Sequence, residues 1–365
     1  MNETSQIFSK YLADKEISRI FSDEALIKKI LAFEIALAKE QAYLDIIPKT
    51  ASEEISSLLS SIVVDPRELA DGTRQHGVPV VPLLELVKSK IAANKAKFIH
   101  YGATSQDAMD TALALMLKDA TKIISEKLAL VISNLKRLTL KYGNTPCMAR
   151  TRGQLAMPTL FQHKIIAWLE PLQRQSDRLK YVEDSALKIQ LGGAVGDLAF
   201  YKEKGDSLRK AVAAALDLHL SPSWHSQRDG LSELTNWMAI TSGVLGKMGA
   251  DILVMAQTEV GELVENAEGG GKSSVMPHKN NPVLSEALVA LAKLNSGLHS
   301  IQLNSLVHTN ERDAAAWILE WKCIPQIVGN TAAGLNHALT ISEKIKVNTE
   351  NMKRNVDLFK KSNKQ

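Results

Sequence analysis

From Gly269 the chain reads Gly-Gly-Gly-Lys-Ser-Ser-Val-Met-Pro-His-Lys-Asn-Asn-Pro, ending at Pro282. Gly269, Gly270 and Gly271 allow positive φ angles and a pliant backbone, as loops that close over a ligand need. Asn281 before Pro282 reads as a helix start, with Asn as N-cap and Pro at the first helical position. A helix N-terminus favours anions, and Lys279 would add a full positive charge just ahead of it. Glycine clusters alone mark ordinary surface turns. What goes beyond a turn is the order of Ser273, Ser274, Met276-Pro277, Lys279 and Asn281-Pro282.

Two further stretches carry polar groups that could face an anion. In Ile99-His100-Tyr101-Gly102-Ala103-Thr104-Ser105-Gln106-Asp107, Thr104 or Ser105 reads as an N-cap and Asp107 as a complement to the helix dipole. Hydroxyls and free N–H groups at one helix start also form an anion cradle, so both readings can hold. His100 is a candidate pocket residue, although a lone histidine is more often structural. In Arg150-Thr151-Arg152-Gly153-Gln154-Leu155-Ala156-Met157-Pro158, Arg152 cannot cycle a proton near neutral pH. It can grip a carboxylate at two points.

The first stretch resembles the signature Ser-Ser-x-Met-Pro-x-Lys-x-Asn-Pro of the fumarase/aspartase superfamily, and the second resembles its Thr-Ser-x-Asp-x-x-x-Thr. The third resembles Arg-Thr-His-x-Gln-x-Ala-x-Pro, with Arg152 where many members carry histidine. The resemblance implies that Ser273 is the general base and that Lys279 and Asn281 bind carboxylate and stabilise charge. It places Thr104, Ser105, Arg150, Arg152, Gln154, Ser274 and Met276 against the substrate. A serine hydroxyl is a very weak acid, so this role requires positive charge and backbone N–H groups in a dry, closed loop.

Within the superfamily, Gly77-Val78-Pro79-Val80-Val81-Pro82-Leu83 and Glu311-Arg312 followed by Trp317 and Glu320-Trp321 are similar to the 3-carboxy-cis,cis-muconate cycloisomerases. Arg312 joins the expected substrate contacts on that basis. Trp317 and Trp321 also fit plain i,i+4 packing on a helix. The implied activity is reversible lactonisation of carboxymuconate in protocatechuate catabolism, with no metal or organic cofactor. The implied assembly is a homotetramer with shared sites. The alternatives are adenylosuccinate lyase or another C–N or C–O lyase, and a non-catalytic structural homologue.

The elements that must position these residues are helical. Aromatic residues make up only 5% of the chain, and Ala, Leu, Lys and Glu are abundant. Long helices are expected at about 107–142, 158–188, 231–265, 282–307 and 314–344, with lengths that suit a long bundle. In the first, Leu117, Ala120, Ile124, Leu128, Val131, Leu135 and Leu138 form one apolar stripe. The third is apolar around most of its surface, which suggests burial between subunits. A smaller helical domain is expected over residues 1–100, including one helix from Ile17 to Leu44, before the bundle over 101–346. A frayed tail at 347–365 would replace the third domain of longer members. The fold class is therefore all-α.

Hydrophobic residues at 45%, charged residues at 23% and a net charge of +4 describe an ordinary globular chain rather than a nucleic-acid protein. Cys147 and Cys323 are expected to be small buried hydrophobes. The polar N-terminus reads as carrying no secretory signal, and no apolar stretch is expected to reach the length needed to span a bilayer. Cytoplasm is the expected location.

Overall fold

The computed structural model describes residues 7–265, 270–276 and 279–362. Its helices of eight residues or more are α1 (Asp23–Tyr43), α2 (Lys49–Ser61), α3 (Val80–Lys88), α4 (Ser105–Tyr142) and α5 (Phe161–Ala186). They continue with α6 (Gly205–Leu216), α7 (Asp229–Met255), α8 (Val283–Asn304), α9 (Ala314–Lys344) and α10 (Thr349–Ser362). The fold is all-α, as expected. The long helices α4, α5, α7, α8 and α9 pack side by side as the five-helix bundle. All seven residues of the α4 stripe are buried.

Five local expectations change. The helix from Ile17 to Leu44 is broken, because Phe21 leaves the helical path and the Ser22 hydroxyl accepts from Ala25 N–H at 3.2 Å, starting α1 afresh. The second bundle helix starts at Phe161, not Pro158. Residues Pro146–Thr151 (β1) pair with Gln154–Leu160 (β2) as an antiparallel hairpin that the helix-rich composition concealed. The third stops at Met255, and Leu263–Val264 pairs instead with Lys346–Val347. The expected frayed tail folds as α10, with Met352 and Val356 buried.

Helix α7 also corrects the bilayer reading, since by length and composition it could cross a membrane. Its surroundings are those of a core helix. Its most apolar window is half buried, Asp251 accepts from Trp168 Nε1 at 2.7 Å, and Ser242 accepts from Asn295 at 2.8 Å. Ile240 and Val254 remain 40% and 42% exposed, so the chain alone does not cover the helix on every side.

Chain direction decides where the functional stretches fall. Helices α4, α7 and α9 begin at one end of the bundle, where Arg228 reaches both Asp110 and Glu320. Helix α8 begins at the opposite end, beside the hairpin and α10. The 22 residues of α8 separate the two ends by about 33 Å at about 1.5 Å per residue.

Candidate active site

The polar groups form two half-sites, one at each end of the bundle. At the first end, Thr104 precedes α4 in extended conformation and Arg312 precedes α9. Arg312 Nη1 donates to Thr104 Oγ1 at 2.5 Å, although the two are far apart in sequence. Arg312 is placed by a tight turn in which Asn310 has φ 57 and both the N–H and hydroxyl of Thr309 donate to Asp313. Those bonds, together with N–H groups from Ala315 and Ala316, hold the Asp313 carboxyl well below the usual range. Asp313 thus stays charged as the α9 cap. Ser105 opens α4, whose leading N–H groups the helix itself leaves unpaired. A hydroxyl, a guanidinium and a helix start therefore converge on solvent, which is a carboxylate-binding arrangement.

Buried carboxylates hold this end rigid. Asp107 is fully buried and accepts from Thr104, Gly192 and Gly193 N–H, Gln190 Nε2 and His225 Nε2, all at 2.9–3.1 Å. The expected dipole complement is thus the hub that ties Thr104 to the 190–193 loop. One turn on, Asp110 takes two bonds from Arg228, at 2.6 and 3.0 Å, and one from Trp317 Nε1 at 2.9 Å. Arg228 also donates to Glu320 through Nε at 2.9 Å and through Nη2. Trp317 packs edge-on against Trp321 with ring centres 4.8 Å apart, as helix packing predicts. His100, four residues before Thr104, sets Nδ1 2.6 Å from Glu34 Oε1. An apolar cavity of about 390 Å³ lies nearby, lined by Met109, Leu113 and Trp321 among others. Its walls offer little to a polyanion, so the charged groups at the helix starts matter more than the cavity.

At the other end stands the serine loop. Gly269, Pro277 and His278 lie outside the described residues. Ser273 Oγ accepts from Val275 N–H at 3.3 Å and Met276 N–H at 3.0 Å. Two backbone donors aimed at this oxygen are what an alkoxide there would need. Ser274, Met276 and Lys279 are exposed around it. Asn281 N–H donates to Gly271 O at 2.9 Å, and Lys272 pairs with Asn280, closing the neck of the loop. Gly271 has φ 67, and a methyl group on it would meet Asn281 O at 1.9 Å, so only glycine fits the neck.

One expectation for this loop fails. Asn281 is not the N-cap of α8, because the helix begins at Val283 with Pro282 before it. Its leading N–H groups are already taken. Leu284 and Ser285 donate to the buried Glu265 at 2.9 and 2.6 Å. That helix start therefore binds a carboxylate of the protein itself, and Lys279 alone brings the expected positive charge.

The hairpin separates its three expected contacts. Arg152 and Gly153 form its two-residue tip with φ 51 and 79, and Arg152 and Gln154 are exposed. Positive φ at both positions suits the twist of a tight hairpin. Arg150 points back instead, 3.4 Å from the fully buried Glu262, which also accepts from Asn355 of α10. It braces the hairpin against the base of the serine loop.

The lyase family matches residues 10–294 of this sequence. The chain belongs to that family. Among similar lyases, a 3-carboxy-cis,cis-muconate cycloisomerase from Acinetobacter baylyi is 34% identical over 97% of this chain and 80% of its own length. An N-acetyl-S-(2-succino)cysteine lyase from Enterococcus italicus is 32% identical over 94% of this chain and 75% of its own. The crystal structure of 3-carboxy-cis,cis-muconate lactonizing enzyme from Pseudomonas putida superposes with a TM-score of 0.92 at 34% identity, covering 97% of this chain and 80% of that one. The resemblance to the fumarase/aspartase superfamily read from the motifs holds, and this lyase is an enzyme of that group.

Proposed function

We propose that the chain is a 3-carboxy-cis,cis-muconate cycloisomerase, working in the cytoplasm as a homotetramer whose sites combine both half-sites. The observation that carries the chemistry is the Ser273 oxygen with two N–H groups aimed at it and Lys279 in the same loop. One substrate carboxylate adds to a double bond and forms the lactone C–O bond. The displaced π electrons collect on the carbon beside another carboxylate. That carbon takes the Ser273 proton, and the alkoxide regains one from solvent, so each lactone formed consumes one proton. In reverse, the alkoxide removes the carbon-bound proton and the carboxylate departs. Because that leaving group is already an anion, no acid has to protonate it, and Arg152 in place of histidine costs the reaction nothing. Thr104, Ser105, Arg312, Arg152 and Gln154 hold the remaining negative charge.

The separation of the half-sites supports assembly, since Ser273 and Arg312 of one chain lie at opposite ends of the bundle. Helical glycines support it. Gly243, Gly297 and Gly329 lie inside α7, α8 and α9, and each has open space where a side chain would stand. Each costs about 1 kcal/mol of helix stability relative to alanine. Close approach by helices of other chains would account for these glycines and for the apolar Leu294, Ile301 and Ile318, which are 55%, 41% and 45% exposed.

The test is turnover of carboxymuconate, followed by its loss of ultraviolet absorbance. Wild type should convert it, and Ser273→Ala should lose about three orders of magnitude in kcat while folding normally. Rapid cleavage of adenylosuccinate or N-acetyl-S-(2-succino)cysteine with none of carboxymuconate would reject the assignment. Equal inertness of wild type and mutant on all three would favour a structural protein.

A further inference from the structure

The cavity of about 390 Å³ near the first half-site is wedged between the N-terminal segments and the bundle, and Thr104, Ser105 and Arg312 do not line it. Protein interiors are close-packed and rarely leave such a volume empty, and pockets that hold small ligands begin at about 300 Å³. Phe21 and Leu69 wall it on one side, and Leu113 and Met116 of α4 on the other. Asp110 and Glu320 also reach its surface, but their oxygens are already committed. Asp110 accepts from Arg228, Gln106 and Trp317, and Glu320 accepts from Arg228 and Ser305. Two carboxylates around one guanidinium leave an incoming anion nothing to pair with.

Helix α9 supplies a polar group of a different kind. Pro325 lies inside the helix and has no N–H, so the carbonyl of Trp321, one turn earlier, lacks its helix donor. The proline ring also crowds that carbonyl away from its regular position. Trp321 and Pro325 both line the cavity, and no side chain among the described residues donates to this oxygen. A carbonyl that faces an apolar cavity without its donor costs stability, and a ligand hydroxyl can restore the bond. The Trp321 indole, held edge-on by Trp317 with ring centres 4.8 Å apart, offers an aromatic surface beside it.

We propose that this cavity binds an uncharged phenol of one or two fused rings, its ring against Trp321 and its hydroxyl donating to the Trp321 carbonyl. The site is separate from the carboxylate half-site and does not depend on which acid the enzyme turns over.

The probes are 2-naphthol, naphthalene and 2-naphthoate, measured by equilibrium dialysis against the full-length protein at about pH 7. Wild type should bind about one 2-naphthol per chain. Naphthalene should bind about fivefold more weakly, as the loss of one hydrogen bond requires, and the anionic 2-naphthoate not measurably. Excess tricarballylate, an unreactive tricarboxylate, should not displace 2-naphthol. Pro325→Ala returns an N–H to the Trp321 carbonyl. It should make 2-naphthol and naphthalene bind equally, with naphthalene as tight as before. Leu113→Trp fills the cavity and should abolish binding of both. Ala70→Phe, at an exposed position on the cavity wall, should block entry without overpacking the core.

Failure of wild type to bind 2-naphthol overturns the proposal, as does equal affinity for naphthalene or for 2-naphthoate. So does displacement by tricarballylate, which would put the ring in the carboxylate half-site. A hydroxyl advantage that persists in Pro325→Ala, or binding that survives in folded Leu113→Trp and Ala70→Phe, also rejects it.

Discussion

Ser273 can be read from its neighbours because motif and chemistry coincide in one short string. Asp107 and Asp110 are harder to read. Each looks like first-turn decoration on α4, yet each is at most 1% exposed and ties together segments roughly a hundred residues away. The available signal was acidic side chains at positions the bundle must bury, flanked by Ala108, Met109 and Ala112 on all sides. Their partners Arg228 and Glu320 carried no local signal, because only the tertiary fold brings them together. The cysteines behave as read. Both are buried and free, and burial pushes Cys147 up to about 11 and Cys323 up to about 12. The thiolate is the reactive form, so both should stay protonated near neutral pH. We expect neither to react with a disulfide reagent at about pH 8 until denaturant is added, and prompt labelling of the native protein would contradict this.

At the scale of elements, apolar periodicity located the five long helices, and the fifth lies at Ala314–Lys344 as read. It missed what short-range hydrogen bonding decides, namely the restart at Ser22, the hairpin and the end of α7. The hairpin strands contain Pro158, Thr159 and a bulge near Met148, so no clean alternation announces them. The serine loop was legible as a loop, but not its neck. Gly271→Ala tests that neck. The added methyl meets Asn281 O, and φ is unfavourable for alanine. A displacement of about 1 Å at the serine costs about a hundredfold in kcat/KM, while the melting temperature should stay within a few degrees because the loop is exposed. Unchanged turnover would show that the neck does not position Ser273.

For the whole molecule, the motifs carry no distance between the site residues, and the family resemblance implies only that sites are shared between subunits. The chain places them in two groups at opposite ends, since α8 carries the backbone about 33 Å between them. No local pattern records that distance, because it depends on the direction in which each helix runs. Mixing provides the test. Ser273→Ala and Arg312→Ala should each be inactive alone. After co-refolding, random assembly should restore roughly a quarter of the wild-type sites, each with one intact half from either parent. Failure to regain activity in verified mixed oligomers would place both residues in the same subunit's site.

Glu265 has a mechanical consequence. Its carboxylate clasps the first turn of α8, so the residue just before the serine loop and the helix just after it are riveted to one point on the scaffold. Any opening stroke must then be a hinge of the tip over a fixed base, with the bundle standing still. A loop that moves this way admits substrate and expels product without loosening the framework that keeps the enzyme folded.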